Sequence, residues 1–181
     1  MTSAVLSLGS NLGDRAAHLR AAVAGLGDAV LIVSGVYENP PWGDPGQPDY
    51  LNAAVYVVDS TATARDWLSR AQALECSAGR ARDPARPFGP RTLDVDVIAV
   101  WDAAGEPVVV DGPDLVVPHP RAHQRAFVLR PWLDIQPYGQ FPGRGPLRDV
   151  IGFPGVVDDL AALRPVGDVT LDGVDIAERR A

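Results

Sequence analysis

The sequence predicts an α+β fold: an antiparallel sheet with helices packed on one face. Short apolar runs of strand length alternate with stretches of helical spacing in the order β-α-β-β-α-β, the ferredoxin-like arrangement. Glycine and proline clusters separate the runs. A chain of 181 residues is expected to form a single domain, 1–181, with its core at about 1–142 and a C-terminal extension at about 143–181.

Each element has its own signal. Residues 4–8 are a short apolar run ended by GSNLGD, which reads as strand then turn. Leu12, Ala16, Leu19, Val23 and Leu26 recur at helical spacing, and Gly27 stops them. AVLIVSGVY, 29–37, reads as one strand. ENPPWGDPGQPDY, 38–50, is a loop stiffened by four prolines, and LNAAVYVVDS, 51–60, is the next strand. Ala64, Trp67, Leu68, Ala71 and Leu74 give an amphipathic helix with Gly79 as its stop. After the loop 80–91 comes GPRTLDVDVIAV, 89–100, a strand carrying two aspartates. Alternation places Asp94, Asp96, Ile98 and Val100 on one face and Leu93, Val95 and Val97 on the other. A strand pair around EPVVV and DLVVPHP, a short helix near 121–129 and a weak helix at 157–163 complete the reading.

Composition narrows the chemistry. Acids outnumber bases 23 to 16, for a net charge of −7, which disfavours nucleic acid and membrane surfaces as partners. Every basic side chain apart from histidine is arginine; without lysine there is no Walker-A, kinase-strand or Schiff-base lysine. Phosphate recognition must use arginine forks, backbone N–H groups or metal. The single cysteine, Cys76, cannot form an internal disulfide, and no secretory leader or membrane span is evident, so a cytoplasmic location is expected.

Several constellations could carry chemistry. Asp94 and Asp96 are like charges on one strand face and need a positive partner. Mg²⁺ commonly takes one or two protein carboxylates together with phosphate oxygens and water. A solvated edge strand is the competing explanation, weakened by the apolar setting LDVDVIAV. Arg80, Arg82, Arg86 and Arg91 against Asp83 make the preceding loop locally +3, which suits a polyphosphate. One arginine paired with Asp94 would be ordinary charge balance; four are less easily explained that way. Glu75, in the last turn of its helix, opposes the helix dipole and reads as either a tolerated surface residue or a ligand acceptor. Trp42, Tyr50 and Asn52 offer flat faces and an amide suited to a planar heterocycle, or merely a packed turn. Arg121 and Arg125, spaced i, i+4, are expected to share a helix face. His119 sits between prolines; His18 and His123 are expected to be exposed, and no two histidines have metal-binding spacing.

LSLGSNLGD, YENPPWGDPGQPDYLNAAV, ECSAGRAR, FGPRTLDVDVI and VPHPRAHQRAFVL occur in that order. Together, over most of residues 4–138, the chain resembles the 6-hydroxymethyl-7,8-dihydropterin pyrophosphokinases of folate biosynthesis. The resemblance implies transfer of diphosphate from ATP to the pterin hydroxymethyl group with release of AMP. It implies two Mg²⁺ ions held by Asp94 and Asp96, and Arg80 and Arg82 as loop arginines that engage the phosphates. Glu75, Arg91, Val97, His119 and Arg125 fall at nucleotide-binding positions. Asn39, Pro40, Pro41, Trp42, Tyr50, Asn52, Phe88 and Phe127 fall at pterin-pocket positions. A monomer is expected. The chain departs from the family pattern at Arg86-Pro87-Phe88, where a basic residue and then Trp are usual, in a loop one residue longer than is common. It departs also at Asp114 and Val116 on the nucleotide side, at Pro120, often Tyr, and at Asn39, often Thr. A different Mg-dependent enzyme on this scaffold, or a non-catalytic ligand sensor, are the rival readings, separated by the product formed.

Overall fold

The computed structural model describes residues 1–42, 46–80 and 89–171. Its centre is a six-stranded sheet. Strand β1 (Thr2–Ser10) is followed by helix α1 (Arg15–Leu26), β2 (Val30–Val33), β3 (Val36–Asn39), β4 (Tyr50–Asp59), α2 (Ala64–Ser77) and β5 (Asp94–Trp101). Strand order is β3-β4-β1-β5, all antiparallel, as the β-α-β-β-α-β reading requires.

The run 29–37 is two strands rather than one. Both pair with β4, and the break at Ser34-Gly35 keeps its hydrogen bonding. The Ala54 N–H donates to Ser34 Oγ at 2.8 Å, and that hydroxyl donates to the Gly35 carbonyl at 2.7 Å. A side chain thus stands in for a ladder acceptor at the bend. Helix α1 begins at Arg15, capped by Asp14, whose Oδ1 accepts the Ala17 N–H at 2.9 Å; Leu12 therefore lies in the turn before it. Helix α2 opens with a Thr63–Asp66 capping box, and Gly79 follows it at φ +69°.

Helices cover both sheet faces, not one. Leu19, Ala22 and Val23 of α1 and Trp67 and Ala71 of α2 pack on Leu6, Leu8, Val55 and Val95. The opposite face, Val5, Ala54, Ile98 and Ala99, is covered by α3 (Ala126–Ile135) through Val128, Leu129 and Trp132. This helix begins later and runs further than the stretch 121–129 expected from spacing. Arg121 and Arg125 consequently share no helix face: each is an N-cap, Arg121 of the 3-10 turn Ala122–Gln124 and Arg125 of α3. In β5 the partner of Leu6 is Val97 and that of Val5 is Ala99, which leaves Ile98 as a bulge. The bulge resets the alternation, so Val100 packs with Val95 and Val97 rather than with the aspartates.

Short strands β6 (Val110–Asp111) and β7 (Val116–Val117) form the expected pair. Beyond them lie a hairpin of β8 (Gln140–Phe141) and β9 (Gly145–Pro146), helices α4 (Leu147–Val150) and α5 (Pro154–Ala162), and β10 (Arg164–Val166). The C-terminal segment is therefore more than a weak helix. Strand β10 pairs with β3 and completes the sheet, while Leu147, Val150 and Val156 join the α3 core. His123 is half-buried, edge-on to Phe141 at 6.2 Å, rather than exposed. Among the described residues no helix is long and apolar enough to cross a membrane.

Candidate active site

The strand registers assemble the site. Tyr37 faces Asn52, Asn52 faces Gly9 and Gly9 faces Asp94 across the sheet; Ala54 faces Ser7, and Ser7 faces Asp96. These positions and Asn39 and Tyr50, a diagonal step away, share the α3 side of the sheet. At one end that face is apolar and lies under α3. At the other it is polar and lies beyond α3, and there it floors a cleft of about 560 Å³ lined by Asn39, Trp42, Tyr50, Asn52, Arg91, Asp94, Asp96, Arg125 and Phe127. The same residues whose alternation looked anomalous in a buried strand are the ones that emerge beyond the helix cover.

Asp94 and Asp96 open into the cleft, their side chains 25% and 33% exposed. Asp94 Oδ1 accepts from Arg80 Nη1 at 2.6 Å and lies 3.1 Å from Arg91 Nη1. Asp96 Oδ2 lies 3.5 Å from Arg125 Nη1 and 3.9 Å from His119 Nε2, so it is approached but not tightly bonded. Desolvation, and then the charge of Asp94, hold the Asp96 carboxyl well above the usual carboxylate range. Among the described residues, the acids Glu75, Asp94 and Asp96 are interleaved with the guanidinium groups of Arg80, Arg91 and Arg125.

Glu75 is buried, unlike a surface residue tolerated against its helix dipole. Its Oε1 accepts the Val95 N–H at 3.0 Å and pairs with Arg80. Val95 lies on an edge strand, where its outward N–H needs such an acceptor. Arg91 is held by residues that strand patterning did not single out. Asn11 Oδ1 accepts the Arg91 N–H at 2.8 Å, and the Asn11 N–H donates to the Arg91 carbonyl at 3.1 Å. Asn11 Nδ2 also reaches Gln47 Oε1 and the Pro48 carbonyl, so one amide ties the first turn to both long loops. Burial works against the charge of Arg91, but Asp94, Tyr50 and Asp96 outweigh it and raise its pKa.

His119 accepts the Arg121 N–H on Nδ1 at 3.2 Å, which leaves Nε2 to carry the proton facing Asp96. Burial, with Arg125 and Arg121 beside it, lowers its pKa to about 4, so the ring is neutral at pH 7. Arg125 is buried over two rings, 5.1 Å from the Trp42 centroid and 5.6 Å from that of Phe127. Burial lowers its pKa.

Of the remaining candidates, Pro40 and Pro41 do not line this cleft. With Trp42 and Phe127 they line an adjoining one, closed by Asp159, Ala162 and Leu163. Val97 points its side chain into the opposite core and can offer this face only backbone. Arg82 and Phe88, like Arg86, lie outside the described residues. Ser7, Gly9 and Asn11 were missed as site residues. Their signal was present, since small residues at positions 7 and 9 of β1 fall on the aspartate face and Asn11 stands in the GSNLGD turn.

Among the described residues no group of three or more His, Cys, Asp and Glu could enclose a metal ion by itself. The aspartate pair suits a hard divalent cation that draws its other ligands from a substrate's oxygens and water. An antiparallel α+β sheet with paired carboxylates in an arginine-ringed cleft can handle phosphate groups.

The comparisons first give the class. Chains 43% identical over 178 residues in Mycobacterium tuberculosis (93% of this chain, 94% of the relative) and 50% identical over 140 residues in Mycobacterium leprae (75% and 72%) are each named 2-amino-4-hydroxy-6-hydroxymethyldihydropteridine pyrophosphokinase. So is one 40% identical over 171 residues in Methylorubrum extorquens (92% and 97%). The class is pyrophosphokinase, a diphosphotransferase. Residues 5–137 match the family model 7,8-dihydro-6-hydroxymethylpterin-pyrophosphokinase (HPPK), and the chain belongs to that family. The fold is also that of the wild-type Plasmodium falciparum HPPK-DHPS structure, with a TM-score of 0.57 at 11% identity over 82% of this chain. The chain spans less than half of that longer molecule, 43%.

Proposed function

We propose that this chain, as one domain, transfers the β,γ-diphosphate of ATP to the hydroxymethyl oxygen of 6-hydroxymethyl-7,8-dihydropterin in folate biosynthesis. The pterin hydroxyl gives up its proton to solvent and its oxygen bonds to the β-phosphorus as the bond from that phosphorus to the α,β-bridging oxygen breaks, and AMP leaves with that oxygen. One observation carries the reading: a single sheet face brings Asp94 and Asp96 to one side of a cleft and Tyr50 and Asn52 to the other, and Phe127 of α3 lines the same cleft.

Asp94 and Asp96 are the residues that would hold two Mg²⁺ ions, which when bound supply charge neutralisation for the phosphates. The protein's own part is positioning and fixed charge, which is most of what phosphoryl-type transfer asks of it. Arg91 and Arg125 flank the carboxylates and donate to phosphate oxygens. Arg80, poised between Glu75 and Asp94, reaches the same oxygens, and Arg82 joins it from the loop beyond. Glu75, His119 and the Val97 backbone serve the nucleotide side. Asn52 reads the polar edge of the pterin with Asn39 behind it in the same pocket, while Tyr50, Phe127, Trp42 and Phe88 present rings to its faces, backed by Pro40 and Pro41. The enzyme works as a cytoplasmic monomer.

Titrating Mg²⁺ into the chain with a non-hydrolysable ATP analogue tests the assignment. Two ions per chain are expected for the wild type, with loss of at least one in Asp94→Asn and in Asp96→Asn. Unchanged stoichiometry and affinity in both variants contradicts it.

A further inference from the structure

Asn39 and Asn52 are buried, on adjacent strands and one diagonal step apart. Asn39 Nδ2 donates to the Pro40 carbonyl at 2.7 Å. A carbonyl only accepts, so this contact fixes which end of the Asn39 amide is nitrogen. Its oxygen then faces Asn52 and takes the Asn52 Nδ2–H at 2.5 Å. With its nitrogen so engaged, Asn52 turns Oδ1 the other way, over the cleft floor. A Cβ built on Gly9 would lie 3.0 Å from that oxygen, room which glycine leaves open. The sequence of contacts has one polarity from end to end, set by an acceptor that cannot reverse.

We infer that Asn39 is a specificity-determining positioning residue: it locks the Asn52 amide so that the cleft presents an acceptor, and thereby selects a ligand edge rich in N–H donors. The inference rests on the proposed pterin reading, because an amino-substituted lactam ring is such an edge. Asn39 need not touch the ligand. Without it the Asn52 amide can turn over and offer N–H to N–H, which leaves buried donors unpaired.

The test uses the isosteric pair Asn39→Thr and Asn39→Val in the full chain. A Thr hydroxyl both accepts and donates, so it can preserve the polarity; Val has the same shape and does neither. In the ligand-free protein, the Asn52 side-chain NH₂ resonances should stay shifted and exchange-protected in the wild type and Asn39→Thr, and lose protection in Asn39→Val. This readout does not depend on the substrate. With 6-hydroxymethyl-7,8-dihydropterin, Asn39→Val should raise the pterin KM about tenfold, the scale of one buried hydrogen bond, with kcat and the ATP KM within twofold of wild type. Asn39→Thr should stay within about threefold. Equal Asn52 protection in all three proteins overturns the inference, as does a kcat loss shared by Thr and Val. Intact Asn52 coupling in a wild-type chain that binds no pterin overturns the pterin reading and leaves the amide lock standing.

Discussion

Replacing Asp94 by Asn removes one charge from between two guanidinium groups, and the geometry fixes the sign of the effect. Asp94 faces Arg80 at 2.6 Å and Arg91 at 3.1 Å, and Asp96 two residues along the strand. With an effective dielectric constant near 20, charges about 4 Å apart attract by roughly 4 kcal/mol per pair. The two carboxylates, about 7 Å apart along the strand, repel by roughly 2 kcal/mol. Attraction to two guanidinium groups exceeds repulsion from one carboxylate, so Asp94 stabilises the ligand-free fold despite its unfavourable neighbour. Much of the gross attraction is offset by desolvation, and the net loss on substitution should be that of a charged hydrogen bond, about 2 kcal/mol. For a chain of this size that corresponds to a melting point about 4–8 °C lower. The assay is urea and thermal unfolding without nucleotide or metal, run beside turnover. Asp94→Asn should be destabilised by this amount and lose turnover about a thousandfold or more. A variant as stable as the wild type, or more stable, refutes the charge-balance reasoning; one with near-normal turnover refutes the metal assignment.

Other consequences can be checked independently. Ser34→Ala should cost about 1–2 kcal/mol in urea unfolding, because it strips the buried Ala54 N–H of its acceptor at the β2–β3 bend. Asn11→Ala should raise the ATP KM several-fold, because it frees the Arg91 backbone, and an unchanged ATP KM would contradict that positioning role. Asp59 pairs with Arg70 and accepts from Thr61 and Ala62, which holds its carboxyl well below the usual range. A depressed carboxylate stabilises the fold above its unfolded pKa near ~4 and loses that contribution as pH falls toward the folded value. Asp59→Asn should therefore flatten the acid limb of stability below about pH 4 and leave its shape at neutral pH unchanged.

Much of this architecture was legible because single residues carried it. Two aspartates at alternate strand positions need a common face, and the face they share does floor the cleft. What alternation could not foresee was the Ile98 bulge, a pairing decision made by β1, which sends Val100 to the other side. A period-2 pattern contains no signal for an inserted residue. The second helical layer was likewise hidden: α3 is set by packing of Val128, Leu129 and Trp132 on a face whose apolar positions are spread over three strands. Burial of Glu75 depends on an edge-strand N–H some 20 residues away and follows from no local pattern. Asn11 joins three segments through one side chain, and only the assembled loops reveal it.

The identity of the transferred group tests the central claim most directly. The chain is incubated with ATP, Mg²⁺ and 6-hydroxymethyl-7,8-dihydropterin, and the nucleotide and pterin products are resolved by chromatography. The account predicts AMP and the pterin diphosphate in equal amounts, both lost in Asp94→Asn and Asp96→Asn. ADP, inorganic phosphate or pyrophosphate as the product, or no AMP above the level of those variants, would contradict it.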